Sequence, residues 1–467
     1  MVFSSLIFLY FYLPVVLIVY YISPAKMKNI ILLVSGLFFY AWGEPVYVLV
    51  MLFSTALDYT MGRLIHHFDA FPKKRTVFLI LSVVINIGLL GVFKYSSFII
   101  QNLNGLLGVN IPDPQLPLPI GISFYTFQSL SYTIDVYWRK IKVQKNFVSF
   151  AAFVTMFPQI VAGPIVRYED VEREIDKRAV NVDKAGEGIG LFIKGLSKKV
   201  LLANNIGLLW VQVEAMDYTE ISVVTAWLGI LAFAFQIYFD FSGYTDMARG
   251  LGKMLGFEFP QNFNFPYISR SISEFWRRWH MTLGSWFRAY VYIPLGGNRC
   301  GLIKQLRNLA IVWFLTGLWH GASWNFVLWG LYFGLLIIIE RLGLGKILNK
   351  LPALVSMLYT FVMVLFGWVL FETENLIKAG QYFSAMFGGT GVLMDSSAKY
   401  MASSNALLFI ICIFASTQLF GKLLEKLKQW SVLAVTYSAP VIELLLMLAC
   451  TAYLVDATYN PFLYFRF

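Results

Sequence analysis

Four histidines occur in the sequence, and two of them stand where an ionisable side chain is costly. His320 ends LAIVWFLTGLWH and begins HGASWNFVLWGLYFGLL, so long apolar stretches flank it on both sides. A titratable group at membrane depth is a functional candidate by default. If the segment is one continuous helix, Trp313, Thr316, His320, Trp324 and Val327 share a face. His280 lies in residues 271–288, which read as a short helix with Ser271 and Glu274 spaced as a capping box. There Trp276, Trp279, His280, Leu283 and Phe287 share a face, while Arg277, Arg278 and Ser285 fall elsewhere. His66 and His67 sit near Lys73 and Lys74 in a basic loop, where an ordinary solvated role suffices. For His280 and His320 the plain alternative is a core histidine satisfied by a backbone carbonyl.

An imidazole kept neutral by burial is a suitable proton acceptor at neutral pH. A hydroxyl attacking a thioester needs such a base, in a channel that denies the acyl group to water. Other chemistries find less support: there is no HExxH pattern or metal-ligand cluster, so no metal is expected. No GxSxG elbow or P-loop is present either. Seven of the thirteen tryptophans lie between 276 and 329, namely Trp276, Trp279, Trp286, Trp313, Trp319, Trp324 and Trp329. Singly they fit an interfacial aromatic belt. As a cluster beside two histidines they read as a cavity lining, with Trp279, Trp319, Trp324 and Asn325 as candidates for a substrate channel. Arg270, Arg277, Arg278 and Arg288 could bind donor phosphates or face lipid, and are left unassigned. Asp240 and Asp246, flanking a polar FSGYTD turn, read as structural.

What positions these residues is a membrane protein. Of 467 residues 58% are hydrophobic and 13% charged, against about 25% charged in a soluble domain. That excludes disordered, collagenous and disulfide-scaffold classes and leaves a polytopic membrane chain. The formal charge of +11 fits cytoplasmic loops facing anionic lipid, so no nucleic acid is expected. Cys300, Cys412 and Cys450 show neither disulfide nor zinc spacing. Residues 1–22 read as a retained first span rather than a signal peptide. Candidate crossings are 3–22, 29–42, 45–62, 76–98, 118–138, 148–166, 186–212, 222–239, 307–319, 323–341, 354–371, 404–420 and 436–456. Several are short or charged, which leaves roughly eleven true spans plus broken pieces.

Orientation follows from basic residues in the early loops. Lys26, Lys28, Arg63, Lys73, Lys74, Arg75, Arg139, Lys140, Lys142 and Lys145 fall on one side; Lys94 alone falls on the other. The N-terminus is therefore expected outside. Prolines and a glycine in FPQIVAGP (157–164) interrupt one apolar run. Residues 240–300 are too polar to span and too aromatic for a solvated loop, so they suit an interfacial or re-entrant element. A single membrane domain over 1–467 is expected, with 240–330 as the core segment that carries the site.

At this point the chain resembles the membrane-bound O-acyltransferases, in particular the bacterial branch of alginate O-acetyltransferase membrane proteins. The resemblance rests on MVFSSLIFLYFYLP at the start, LPIGISFYTFQSLSYTIDVYW (118–138), FPQIVAGPIVRY (157–168) and FDFSGYTDMARGLGKMLGFEFPQNFNFPY (239–267). It continues through SISEFWRRWHMTLGSWFRAYVYIPLGGNR (271–299), TGLWHGASWNFVLWG (316–330) and YNPFLYFRF (459–467). It implies about eleven spans and re-entrant helices around a central funnel. It makes His320, in the WHG segment, the essential catalytic residue and His280 the second site. GWVLFETENL (367–376) departs from relatives that often carry Arg and Ala after the Phe, and is expected to lie away from both histidines.

The resemblance further implies O-acetylation of an extracellular polysaccharide in the cell (plasma or inner) membrane, with acetyl-CoA as donor and no bound cofactor. It implies as partner a secreted or membrane-anchored SGNH-hydrolase-like acetyltransferase. Related D-alanyl transferases of teichoic acid share the core pattern and are the near alternative. A transporter or flippase would also show broken helices, but no internal repeat pairs them here. A scaffold that only anchors a biosynthetic complex is the third class.

Overall fold

The computed structural model describes residues 1–161, 163–456, 459, 460 and 463, with backbone alone at 434 and 435. Ala162 of FPQIVAGPIVRY, and six residues of YNPFLYFRF (461, 462 and 464–467), lie outside the described residues. Every regular element among them is helical, because a chain in hydrocarbon must satisfy its backbone within the segment. Among the described residues seven helices are long and apolar enough to cross a membrane: Val48–His67, Pro72–Leu107, Val223–Met254, Trp324–Leu348, Ala353–Glu372, Ser396–Ala415 and Thr436–Asp456. The other expected windows fall on shorter or interrupted helices. FPQIVAGP breaks its run as its prolines require, into Phe147–Thr155 and Phe157–Ile160 with Met156 extended between them.

Contacts divide the chain into two units, Met1–Phe192 with Tyr244–Pro260, and Ile193–Gly243 with Gln261–Phe467. In the first, Ile122–Tyr137 is an interior helix: fourteen of its sixteen residues are buried, although many are Ser, Thr or Gln. Asp58, fully buried on Val48–His67, holds this interior together. Its carboxylate accepts from Ser82 Oγ (2.6 Å) and Asn86 Nδ2 (2.9 Å) on the neighbouring helix, and Asn86 Oδ1 takes Ser54 Oγ (2.6 Å). Such knots hold apolar helices in register where lipid offers no hydrophobic drive between them.

The second unit holds both histidines of interest. Its long helices are Val223–Met254 (residues 223–243 of it), Leu302–His320, Trp324–Ile339 and Ala353–Glu372. One expectation needs correction here. Asp240 and Asp246 do not flank a turn; FSGYTD continues the regular helix Val223–Met254. Asp240 is tolerated in the interior because Lys199 Nζ lies 2.7 Å away and equally buried, so neither charge stands alone. The irregular element begins only after Met254.

Candidate active site

Leu302–His320 and Trp324–Ile339 form a helical hairpin whose backbones touch. A Cβ on Gly317 would stand 2.4 Å from Phe326 O, and one on Gly330 would stand 2.4 Å from Trp313 O. Only glycine fits at this crossing, the small-residue solution for packing helices in membranes. The first helix stops at His320, where Gly321 turns extended (φ −168°, ψ 156°) and Ser323 leads into the second. His320 is therefore the last residue of its helix. It is buried, with the rings of Trp329 at 4.8 Å, Trp319 at 4.9 Å and Phe371 at 5.5 Å. Three helices thus build an aromatic cage around one imidazole.

The break at Gly321 overturns the expected continuous face. Trp313 and Thr316 keep their place, but Trp324 swings out and is 54% exposed, away from the site. Asn325 is buried and donates to Thr373 O (2.5 Å), satisfying the end of Ala353–Glu372. A second correction concerns GWVLFETENL, which does not lie away from the histidines, since Phe371 packs against His320.

His280 is reached differently. Residues 271–288 are not one helix but two, Ile272–Arg278 and Met281–Phe287, hinged at Trp279 and His280. His280 takes a left-handed backbone (φ 45°, ψ 51°), costing about 1–2 kcal/mol for an L-residue. Asn262 offsets this. Its carbonyl accepts Met281 N–H (2.9 Å), and its Oδ1 accepts Thr282 N–H (3.1 Å) and the Thr282 hydroxyl (2.9 Å). The same Oδ1 stands 3.2 Å from His280 Nδ1. An oxygen already taking two donors meets Nδ1 favourably only when Nδ1 carries the proton, which leaves Nε2 as the basic nitrogen. His280 lies outside the membrane-crossing helices, and burial pushes its imidazole below the ordinary histidine value. The ring is therefore neutral at physiological pH.

Glu340, buried on the segment after Trp324–Ile339, fixes the start of Ile272–Arg278. It accepts from Ile272 N–H (2.6 Å), Ser273 N–H (2.9 Å) and Ser273 Oγ (2.7 Å). The expected capping box is half formed. Ser271 Oγ accepts Glu274 N–H (3.0 Å), but Glu274 turns to Arg270 N–H and to Arg278 instead of the cap. Glu340→Ala would orphan two buried N–H groups and is expected to cost about 2 kcal/mol. The check is a lower melting temperature in detergent, partly restored by Glu340→Gln.

A cavity of about 210 Å³ opens against this element. Although the helix is broken, all five residues of the expected face, Trp276, Trp279, His280, Leu283 and Phe287, line it, as do Trp313 and Thr316. Arg288, unassigned from sequence, is on its wall too; Arg278 is held by Glu274. His320 is not among the residues that line the cavity. The Trp319 ring bridges the two imidazoles, 5.8 Å from His280 and 4.9 Å from His320. Phe241 closes His280 from the other side at 4.8 Å. The arrangement can hold an apolar or thioester chain beside a neutral base, shielded from bulk water. Asn262, Glu340, Phe241 and Phe371 carry no sequence signal tying them to the histidines; only long-range folding brings them together.

Known proteins with similar sequences include proteins named as O-acetylases and O-acetyltransferases. The family model described as membrane-bound O-acyltransferase matches residues 139–345, which include both histidines. The probable alginate O-acetylase AlgI of Pseudomonas aeruginosa is 43% identical over 404 residues, 85% of this chain and 76% of that protein. The protein of the same name from Azotobacter vinelandii is 41% identical, over 86% and 81% of the two chains. A peptidoglycan O-acetyltransferase of Helicobacter pylori is 35% identical, over 85% and 82%.

Proposed function

The chain belongs to the membrane-bound O-acyltransferase family, in its alginate O-acetylase-like branch, and on that premise we propose that it moves acetyl groups from a cytoplasmic thioester to a hydroxyl outside the membrane, for O-acetylation of an extracellular polysaccharide. Acetyl-CoA is the donor in this reading. The N-terminus faces outward, on the ten-to-one imbalance of basic residues between the early loops. The observation that carries the proposal is the pair of buried imidazoles that both neighbour the Trp319 indole, one of them on the wall of an aromatic cavity.

In the reaction the acceptor oxygen bonds to the acetyl carbonyl carbon and the carbon–sulfur bond breaks. His320 takes the hydroxyl proton as attack proceeds and returns it to the departing thiolate. His280, aimed by Asn262, orients the thioester from the cavity side. Trp279 and Trp319, both buried, exclude water from the path. The acceptor hydroxyl belongs to an SGNH-hydrolase-like acetyltransferase, secreted or membrane-anchored, which completes transfer to the polymer. The experiment is mass analysis of surface glycans from a deletion strain carrying the wild type or His320→Ala. Acetyl esters that vanish on deletion and return only with the wild type support the reading. Loss of D-alanyl esters instead, or acetylation untouched by deletion, overturns it.

A further inference from the structure

We infer that Tyr459, Asn460 and Leu463 form a clip that positions the His280 side of the active site, with Asp240 as its dock; the activity arm of this inference rests on the acetyl-transfer reading above. Beyond Val432–Asp456, Tyr459, Asn460 and Leu463 meet residues of the second unit at three points. Gln236 Nε2 donates to Tyr459 OH (3.0 Å), Asn204 Nδ2 donates to Asn460 Oδ1 (3.2 Å), and Leu463 N–H donates to Asp240 Oδ2 (3.0 Å). Gln236 and Asp240 are one turn apart on Val223–Met254, so the clip grips one face of that helix.

Asp240 is 2% exposed, and its other oxygen meets Lys199 Nζ at 2.7 Å. A carboxylate placed this deep needs a partner on each oxygen, and here a cation meets one and the clip's N–H meets the other. The next residue, Phe241, puts its ring edge-on to His280 at 4.8 Å and to Phe263 at 4.9 Å. Phe263 in turn adjoins Asn262, which holds the left-handed turn of His280. Docking of the clip therefore fixes the rotation of the helix that presents Phe241 to the imidazole. Asp240 and Leu463 act through other groups, as positioning residues.

The test uses full-length protein in lipid nanodiscs. Leu463→Pro deletes the donor N–H, Leu463→Val keeps it, and Tyr459→Phe with Asn460→Ala removes the other two contacts if the proline variant does not fold. Acetyl transfer from acetyl-CoA and hydrogen exchange of the peptide around 262–284 are both measured. The expected result is a fall in kcat of about tenfold or more with KM within twofold, and faster exchange at 262–284. Leu463→Val should match the wild type in both. Unchanged kcat per folded molecule, or unchanged exchange, overturns the clip even if the melting temperature falls. Should wild-type protein transfer no acetyl group, the functional reading fails while the exchange arm still decides the clip.

Discussion

Replacing His320 by alanine or glutamine is expected to lower acetyl transfer by about 10²–10⁴-fold, the contribution of a positioned general base. Glutamine is the sharper variant. Alanine leaves a void among Trp319, Trp329 and Phe371, so it mixes lost packing with lost chemistry. Glutamine fills most of that space and can hydrogen-bond, but it cannot take a proton from an attacking hydroxyl. Both should bind donor with near-normal affinity, because His320 does not line the cavity; the loss belongs in kcat. His280 variants should behave differently. His280→Gly relaxes the left-handed backbone (φ 45°) that His280→Ala must keep under strain. Better folding of the glycine variant, with activity equally low, would assign the loss to the imidazole itself. Activity near wild type in His320→Gln would remove His320 from the reaction.

The second large effect is structural. Gly330→Val would drive a branched side chain into Trp313 O, 2.4 Å from an ideal Cβ, and into Gly317 Cα at 2.9 Å. Both obstacles are backbone, so no rotamer change relieves them. The two helices must part, at a cost of about 3 kcal/mol or more, and Trp319, His320 and Trp329 move with them. Folded yield by fluorescence-detected size-exclusion chromatography should collapse, and surviving protein should be inactive. Gly380→Ala is the matched control. It sits in Leu376–Met386 with nothing within 4 Å of the added carbon, so alanine should be neutral or slightly stabilising. A Gly330→Val protein that folds and melts like wild type would contradict the backbone contact.

Sequence reading found the histidines because burial inside apolar runs is visible in one dimension. It could not find how each is aimed. A single glycine at 321 is a weak breaker signal, so the face through Trp324 was drawn across a gap that the fold does not bridge. The face through Trp276 and Phe287 survived its own break, because the left-handed residue at 280 turns the second short helix onto the same cavity. FSGYTD read as a turn because polar residues usually mark one; a buried Lys199–Asp240 pair lets the helix run on. Nothing in the sequence marks Glu340, because its partners lie 67 and 68 residues upstream. GWVLFETENL is expected to lie away from both histidines, and only the fold brings its Phe371 against His320.

That Leu302–His320 ends on its imidazole has an electrostatic consequence. A helix terminus of this polarity carries roughly half an elementary negative charge, and in a dry interior that partial charge is weakly screened. It does little for a neutral ring. In the proposed reaction, as the acceptor hydroxyl surrenders its proton the ring becomes a cation, and the terminal peptide dipoles already point the right way to stabilise it, with no solvent to rearrange. The backbone of one helix thus acts as a fixed counter-ion that is felt only while the reaction is in progress.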